Sequence, residues 1–90
     1  MITSIPPDKR IRHASIDAEF LTVHLMDGRR LSTPLAWYPR LAGATRQELE
    51  KWEIICAGEG IHWEQFDEDL SVDGMLNGYP AAGYKPSVLR

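Results

Sequence analysis

The stretch that decides the fold is Phe20-Leu21-Thr22-Val23-His24-Leu25-Met26-Asp27-Gly28. Its residues Leu21, Val23 and Leu25 fall at every second position, which is the period of a strand with one buried face. Asp27-Gly28 follows directly and favours a tight hairpin turn, because glycine takes a positive φ without steric cost. The sequence therefore predicts a strand over residues 20–26 that turns back on itself.

The segments on either side of this strand complete a three-strand β-meander. Residues 30–34 have the pattern of the return strand, with Leu31 and Thr33 on one face. Residues 10–16 have a weaker pattern that is compatible with a strand. Next comes Pro34-Leu35-Ala36-Trp37-Tyr38-Pro39-Arg40-Leu41, whose prolines exclude a central strand. We predict a packed corner there, in which Pro39 opens a short helical turn.

The second half of the chain predicts the main helix. Thr45-Arg46-Gln47-Glu48 matches the capping box, in which the Thr hydroxyl and the Glu carboxylate each accept a hydrogen bond from an otherwise unpaired backbone N–H. The helix is predicted over residues 46–57, with Gly58 as its left-handed stop. Its apolar face at helical spacing consists of Leu49, Trp52, Ile55 and Cys56.

The remaining segments are short. Residues 60–63 have the composition of a short strand, residues 64–72 are acidic, and residues 73–78 predict a single helical turn ended by Gly78. Residues 79–90 contain prolines and no periodicity, which predicts a flexible tail. The predicted fold is therefore α+β: one domain over residues 1–78, in which a small antiparallel sheet (the β-meander plus a short later strand) packs against one main α-helix.

Length, composition and charge exclude several classes of protein. Ninety residues suffice for one domain, and no apolar run approaches the roughly 20 residues of a membrane-spanning helix. No secretory signal precedes the domain, and the lone Cys56 fits a buried thiol in the reducing cytosol, so we expect a cytoplasmic protein. The net charge of −3 conceals an asymmetry, since residues 1–46 sum to +3 and residues 47–84 to −8. Such a distribution favours a partner with complementary patches or self-association, or is simply a solvated surface.

Several motifs taken together resemble the bacterial family called domain of unknown function 2442. They are Asp27-Gly28-Arg29, residues 34–41, Gly60-Ile61-His62-Trp63 and Asp67–Val72, and the match covers about residues 11–78. The resemblance implies a small α+β domain without established enzymatic activity. Some members carry an added helix-turn-helix domain, for which this chain has no room. Stand-alone members are thought to be encoded beside another small protein as a suggested toxin–antitoxin pair, which implies a protein partner.

Two groups of residues are candidates for an interface. Trp37, Tyr38 and Arg40 belong to the residue types enriched at binding hot spots, provided that Tyr38 and Arg40 face solvent while Trp37 anchors the corner; packing in the core is the alternative. Arg29 is a further candidate at the hairpin. His62 and Trp63 form the second group, in which Trp63 is expected to anchor the core while His62 points outward.

A small acid–base or metal-dependent enzyme that uses His62 and residues 67–69 is the second alternative, because a carboxylate orients an imidazole and raises its basicity. A hard cation could be held by residues 67–69 and Asp73, but their spacing does not match an EF-hand and a solvated loop is the simpler interpretation. The single cysteine and dispersed histidines disfavour zinc. No cofactor, metal site or catalytic residue is therefore predicted.

Nucleic-acid binding is the third alternative. Trp37 and Tyr38 offer stacking surfaces. The basic residues of the first half are Lys9, Arg10, Arg12, Arg29, Arg30, Arg40 and Arg46. The acidic net charge argues against a nucleic-acid partner for the isolated domain. We predict instead a non-enzymatic protein-binding or regulatory module that does not act at a membrane. The family resemblance implies that it is the antitoxin-like partner of a small toxin. Open sheet edges add a homodimer as a further prediction.

Overall fold

The computed structural model describes residues 6–81 and 84, and within them the chain forms two three-stranded antiparallel sheets with three short helices. The first sheet has the order β1-β2-β3 and contains Ile11–Ile16, Phe20–Leu25 and Arg30–Pro34. The second has the order β4-β5-β6 and contains Trp52–Ile55, Gly60–Trp63 and Glu68–Ser71. The helices are α1 (Pro39–Ala42), α2 (Arg46–Leu49) and α3 (Val72–Asn77).

The first sheet confirms the predicted meander. Leu21, Val23 and Leu25 are all buried, and Gly28 has φ 95° in the β2–β3 turn. The pattern of β1 is weak for a structural reason. An extra residue between Ile11 and His13 shifts the pairing with β2, so Ile11 and Ala14 both face the core although they are three positions apart.

The predicted helix over residues 46–57 is wrong beyond its first turn. The capping box forms, with the Thr45 side chain accepting from the Glu48 N–H, but α2 ends at Leu49 and the chain continues as strand β4. Residues 52–55 pair antiparallel with β5, and this pairing satisfies their backbone in place of helical hydrogen bonds. The Ile54-Ile55 pair suits a strand because β-branched side chains are stiff and pack well on a pleated surface.

Three further predictions depended on that helix and are also wrong. Gly58 does not end a helix; it lies in the β4–β5 connection with φ 98°, preceded by Cys56 and Ala57, which also have positive φ. Cys56 is exposed instead of buried. The single sheet with one main helix is replaced by two sheets and three short helices, because residues 52–71 form a second meander. Of the predicted tail, residues 82, 83 and 85–90 lie outside the described residues.

One core lies between the inner faces of the two sheets and the short helices. β5 contributes Ile61 and Trp63, both essentially inaccessible to solvent. The corner before α1 contributes Tyr38 and Leu41, which are also fully buried. The predicted short helical elements are confirmed, since α1 begins at Pro39 and α3 ends before Gly78, which has φ 79°. The inner faces are thus occupied by packing, and binding surfaces must lie on the outer faces and edges.

Candidate functional site

The outer face of the second sheet carries a row of three ionisable side chains. Glu53, His62 and Asp69 lie directly opposite one another on β4, β5 and β6. Residues in direct register point to the same side of a sheet. Because Ile61 and Trp63, the neighbours of His62, point inward and are buried, the row faces outward. The prediction that Trp63 anchors the core while His62 faces out is confirmed.

His62 and Asp69 form the closest pair in this row. Nδ1 of His62 lies within hydrogen-bonding distance of Oδ1 of Asp69. This hydrogen bond raises the pKa of His62 above its usual value; burial opposes the shift, and the negative charges of Asp69, Glu53 and Glu64 reinforce it. The imidazolium form is therefore more favoured than in an unpaired histidine, and when formed it places a positive charge between the carboxylates of Glu53 and Asp69.

The other two acidic residues of the predicted His62 cluster do not join this pair. Asp67 has φ 51° and closes the turn before β6, and its side chain is separate from His62. Glu68 points inward and is only 9% exposed, so burial raises the pKa of its carboxyl group. Side chains alternate between the two faces of a strand, which is why only Asp69 of this acidic run reaches His62.

The corner that contains Trp37, Tyr38 and Arg40 makes contacts within the domain. Tyr38 is fully buried, and its hydroxyl donates to Oγ1 of Thr33 at 3.1 Å, so the arrangement in which Tyr38 faces solvent is not the one formed. Arg40 is exposed, but its Nη1 donates to the carbonyl oxygens of Phe66 and Asp67 at 2.8 and 3.1 Å. Trp37 is half-buried. An interface role for Trp37 and Arg40 stays a prediction.

The remaining two candidates make internal contacts. Arg29 pairs with Asp27 at 2.8 Å in the β2–β3 turn, and this contact holds the pKa of Asp27 well below its usual value. Trp63 is 1% exposed, and its indole Nε1 donates to the carbonyl oxygen of Leu49 at 2.9 Å. Trp63 therefore packs on the inner face of the sheet, on the opposite side from the row of Glu53, His62 and Asp69, and offers no surface to a partner.

The open edge of the second sheet is the feature that the sequence reasoning missed. β4 pairs with β5 on one side only. Its first residue, Trp52, lies against His13 of β1, and within residues 6–81 the backbone of residues 53–55 makes no further hydrogen bond across the other edge. Ile54 on this strand is 38% exposed. The adjacent β-branched residues Ile54 and Ile55 indicate a strand, but the interpretation of residues 46–57 as a helix excluded it.

The described residues supply neither a metal centre nor a membrane segment. Within residues 6–81 and 84, no three His, Cys, Asp or Glu side chains converge in a way that would hold a metal ion. The helices in this part of the chain are short, and none has the length and hydrophobicity that a bilayer-spanning helix requires.

Two meanders enclosing one core, with short helices at the connections, define a small mixed α/β domain. Residues 11–81 match the family described as protein of unknown function (DUF2442), and the chain belongs to that family. The resemblance noted in the sequence is thereby confirmed at the level of the family. No curated protein matches the sequence.

Two solved structures share this fold. One is the crystal structure of a protein of unknown function from Rhodospirillum rubrum, which is 30% identical with a TM-score of 0.73; the match covers 86% of this chain and 95% of that one. The other is the solution NMR structure of an uncharacterised protein from Chromobacterium violaceum, 25% identical with a TM-score of 0.69, covering 82% of this chain and 70% of that one.

The His62–Asp69 pair predicts a defined pH dependence of stability. Because the pKa of His62 is raised in the folded state, the pair stabilises the fold fully below the unfolded pKa of about 6.5. This contribution is lost as the pH rises through the folded pKa. Urea unfolding of wild type and Asp69→Asn between pH 5.5 and 8.5 should show the two curves converging at the alkaline end. Asp67→Asn is the matched control and should keep the wild-type slope; a parallel slope for Asp69→Asn would contradict the prediction.

Proposed function

We propose that this domain is a protein-binding module that captures an extended segment of a partner protein along the open edge of β4. The observation that carries the proposal is the composition of this edge. β4 has no proline and no bulge, and its one charged residue is Glu53, so it lacks most of the devices that protect edge strands from pairing. Main-chain hydrogen bonds supply affinity when a strand is added to such an edge.

The charges beside β4 indicate the kind of segment that would bind. Glu50 precedes the strand and Glu59 follows it, both exposed, and Glu53 lies on the outer face of β4 itself. A segment with Lys or Arg at alternate positions would place its cations over these carboxylates, while its apolar residues contact Ile54. The partner proposed here is therefore a basic, partly apolar strand.

An antitoxin-like role is the finer part of the proposal. It rests on the family resemblance and on the edge, since an added strand would occlude the surface of a small partner protein. We propose no enzymatic activity for the domain. In this proposal the His62–Asp69 pair is a charged element of the sheet face. A second copy of the chain could pair along the same edge of β4, so homodimer formation would compete with binding of the partner segment.

Placing a lysine on the edge tests the proposal, since an edge lysine opposes strand addition. The partner that the family resemblance implies, a small protein encoded beside the gene, is co-expressed with wild type, Ile54→Lys, Glu53→Lys or Glu19→Lys. Wild type and Glu19→Lys, the matched charge reversal on the β1–β2 turn, should co-purify with the partner and relieve any growth defect. The two β4 variants should weaken binding, measured by calorimetry, by roughly tenfold or more.

Two outcomes would overturn the proposal. Equal binding by all four proteins, each with an unchanged melting temperature, would show that β4 is not the docking edge. Sedimentation that shows a wild-type dimer and an Ile54→Lys monomer, without partner binding, would assign the edge to a second copy of the chain.

A further inference from the structure

The outer face of the first sheet is basic, polar and free of carboxylates. Strands β1, β2 and β3 contain no Asp or Glu. Their register places His13, His24 and Arg30 in one row across the sheet. The adjacent row consists of three hydroxyl side chains, Ser15, Thr22 and Ser32. Both rows face away from the core, because the intervening residues of β2 are the buried ones.

The polar groups in these rows are ordered by contacts with one another. The His13 and His24 rings have centroids 5.5 Å apart, and Nε2 of His24 lies 3.1 Å from Oγ of Ser15. Oγ1 of Thr22 lies 2.6 Å from Oγ of Ser32. The face is therefore an organised array of hydrogen-bonding groups, with the guanidinium group of Arg30 at the end of one row.

The electrostatic environment of this face is positive although the chain as a whole is acidic. The pKa of His24 lies below its usual value, first because of partial burial and then because Arg30, His13 and Arg12 add positive charge around it. Arg10 and Arg29 pair with neighbouring aspartates, whereas Arg12 and Arg30 make no ion pair within residues 6–81. Their charge is available to an anionic ligand.

Aromatic groups border the face at both ends. Phe20, at the start of β2, is 42% exposed. At the other side, the His13 ring meets the Trp52 indole edge-on with centroids 5.4 Å apart. A groove of about 350 Å³ runs beside these two rings and is also lined by Arg46 and Glu50. Unpaired bases stack on exposed aromatic rings of a surface that also carries cations.

We propose that the outer face of the first sheet binds single-stranded nucleic acid. Arg12 and Arg30 contact the phosphates together with His13 and His24. The hydroxyl groups of Ser15, Thr22 and Ser32 form hydrogen bonds to sugars or base edges, and Phe20 stacks on a base. A single strand fits better than a duplex, because its bases expose their faces to the aromatic ring. The net charge of −3 gave the opposite expectation because it averages this face with the acidic second half.

Fluorescence anisotropy with a labelled twelve-nucleotide oligo-dT and its oligo-U counterpart tests the proposal at low salt. Wild type should bind, with an affinity that falls steeply as salt is raised. Arg30→Gln combined with Arg12→Gln should weaken binding roughly tenfold and flatten the salt dependence. Phe20→Leu should weaken it severalfold, and duplex DNA of the same length should bind more weakly than the single strand. Binding should also raise the pKa of His24, followed by NMR.

The matched control is Lys51→Gln, which removes one exposed positive charge from the acidic half of the chain. It should bind like wild type. An equal loss per removed charge for Lys51→Gln and for the arginine variant would overturn the proposal, since attraction would then be unspecific. The proposal would also be overturned if wild type failed to bind either oligonucleotide at low salt. The same holds if inorganic phosphate shifted the NMR signal of His24 while neither oligonucleotide bound. All substituted residues are exposed, so melting temperatures should be unchanged.

Discussion

Replacing Trp63 by alanine is expected to lower the free energy of unfolding by about 3–5 kcal/mol, the range for removing a large aromatic side chain from a core. Trp63 is 1% exposed and lies on β5 between Trp52 and Glu68, its register partners on either side. Its indole N–H also donates to the carbonyl oxygen of Leu49, so the substitution removes a buried hydrogen bond together with the packing. A domain of this size has only roughly 5–15 kcal/mol of stability, so the loss is a large fraction of the total.

Urea unfolding followed by circular dichroism measures this effect, and two further variants make the result interpretable. Trp63→Phe keeps a ring in the core and loses mainly the hydrogen bond, so about 1–3 kcal/mol is expected. Trp37→Ala removes the same side chain from a half-buried position and should cost clearly less than Trp63→Ala. Equal losses at positions 37 and 63 would be inconsistent with the core assigned here.

Replacing Gly58 by alanine is expected to cost about 2–5 kcal/mol, because backbone strain and overpacking act together at this position. Gly58 has φ 98°, a conformation that side chains with a Cβ disfavour. A Cβ added there would also lie 2.8 Å from Cβ of Arg10, in the segment that leads into β1. The β4–β5 connection therefore reaches the first sheet only because position 58 has no side chain.

Gly28→Ala separates the two causes. Gly28 has a similar φ of 95°, but nothing lies within 4 Å of an added Cβ, so only the strain of about 1–2 kcal/mol is expected. The excess at position 58 measures the contact with Arg10. Arg10→Gly removes the Cβ that the new methyl group would meet, so the double variant should recover part of the excess. Equal losses at both glycines, or no recovery, would exclude the contact.

Local sequence patterns predicted much of the fold. The alternation in β2 with its Asp27-Gly28 turn, the Thr45 capping box, Pro39 at the start of α1 and Gly78 after α3 are all confirmed. Each depends on contacts between residues close together in the chain. The outward orientation of His62 next to a buried Trp63 was likewise predictable, because adjacent strand residues point to opposite faces.

The predictions that were wrong concern segments whose local sequence fits two different structures. Residues 52–55 can be placed on a helix face or in a strand, and only their hydrogen bonds to residues 60–63 decide between the two. The burial of Tyr38 follows in the same way from the position of the corner over the core, where its hydroxyl meets Thr33 of β3.

The sequence by itself determined the class of domain, its local turns and caps, and a division into a basic first half and an acidic second half. The tertiary structure decided how those charges are displayed. Cross-strand register brings His62 against Asp69 and aligns His24 with Arg30, although the two residues of each pair are not neighbours along the chain. Register is set by which faces are buried against the shared core, so the surfaces proposed to bind a partner exist only once both sheets have packed together.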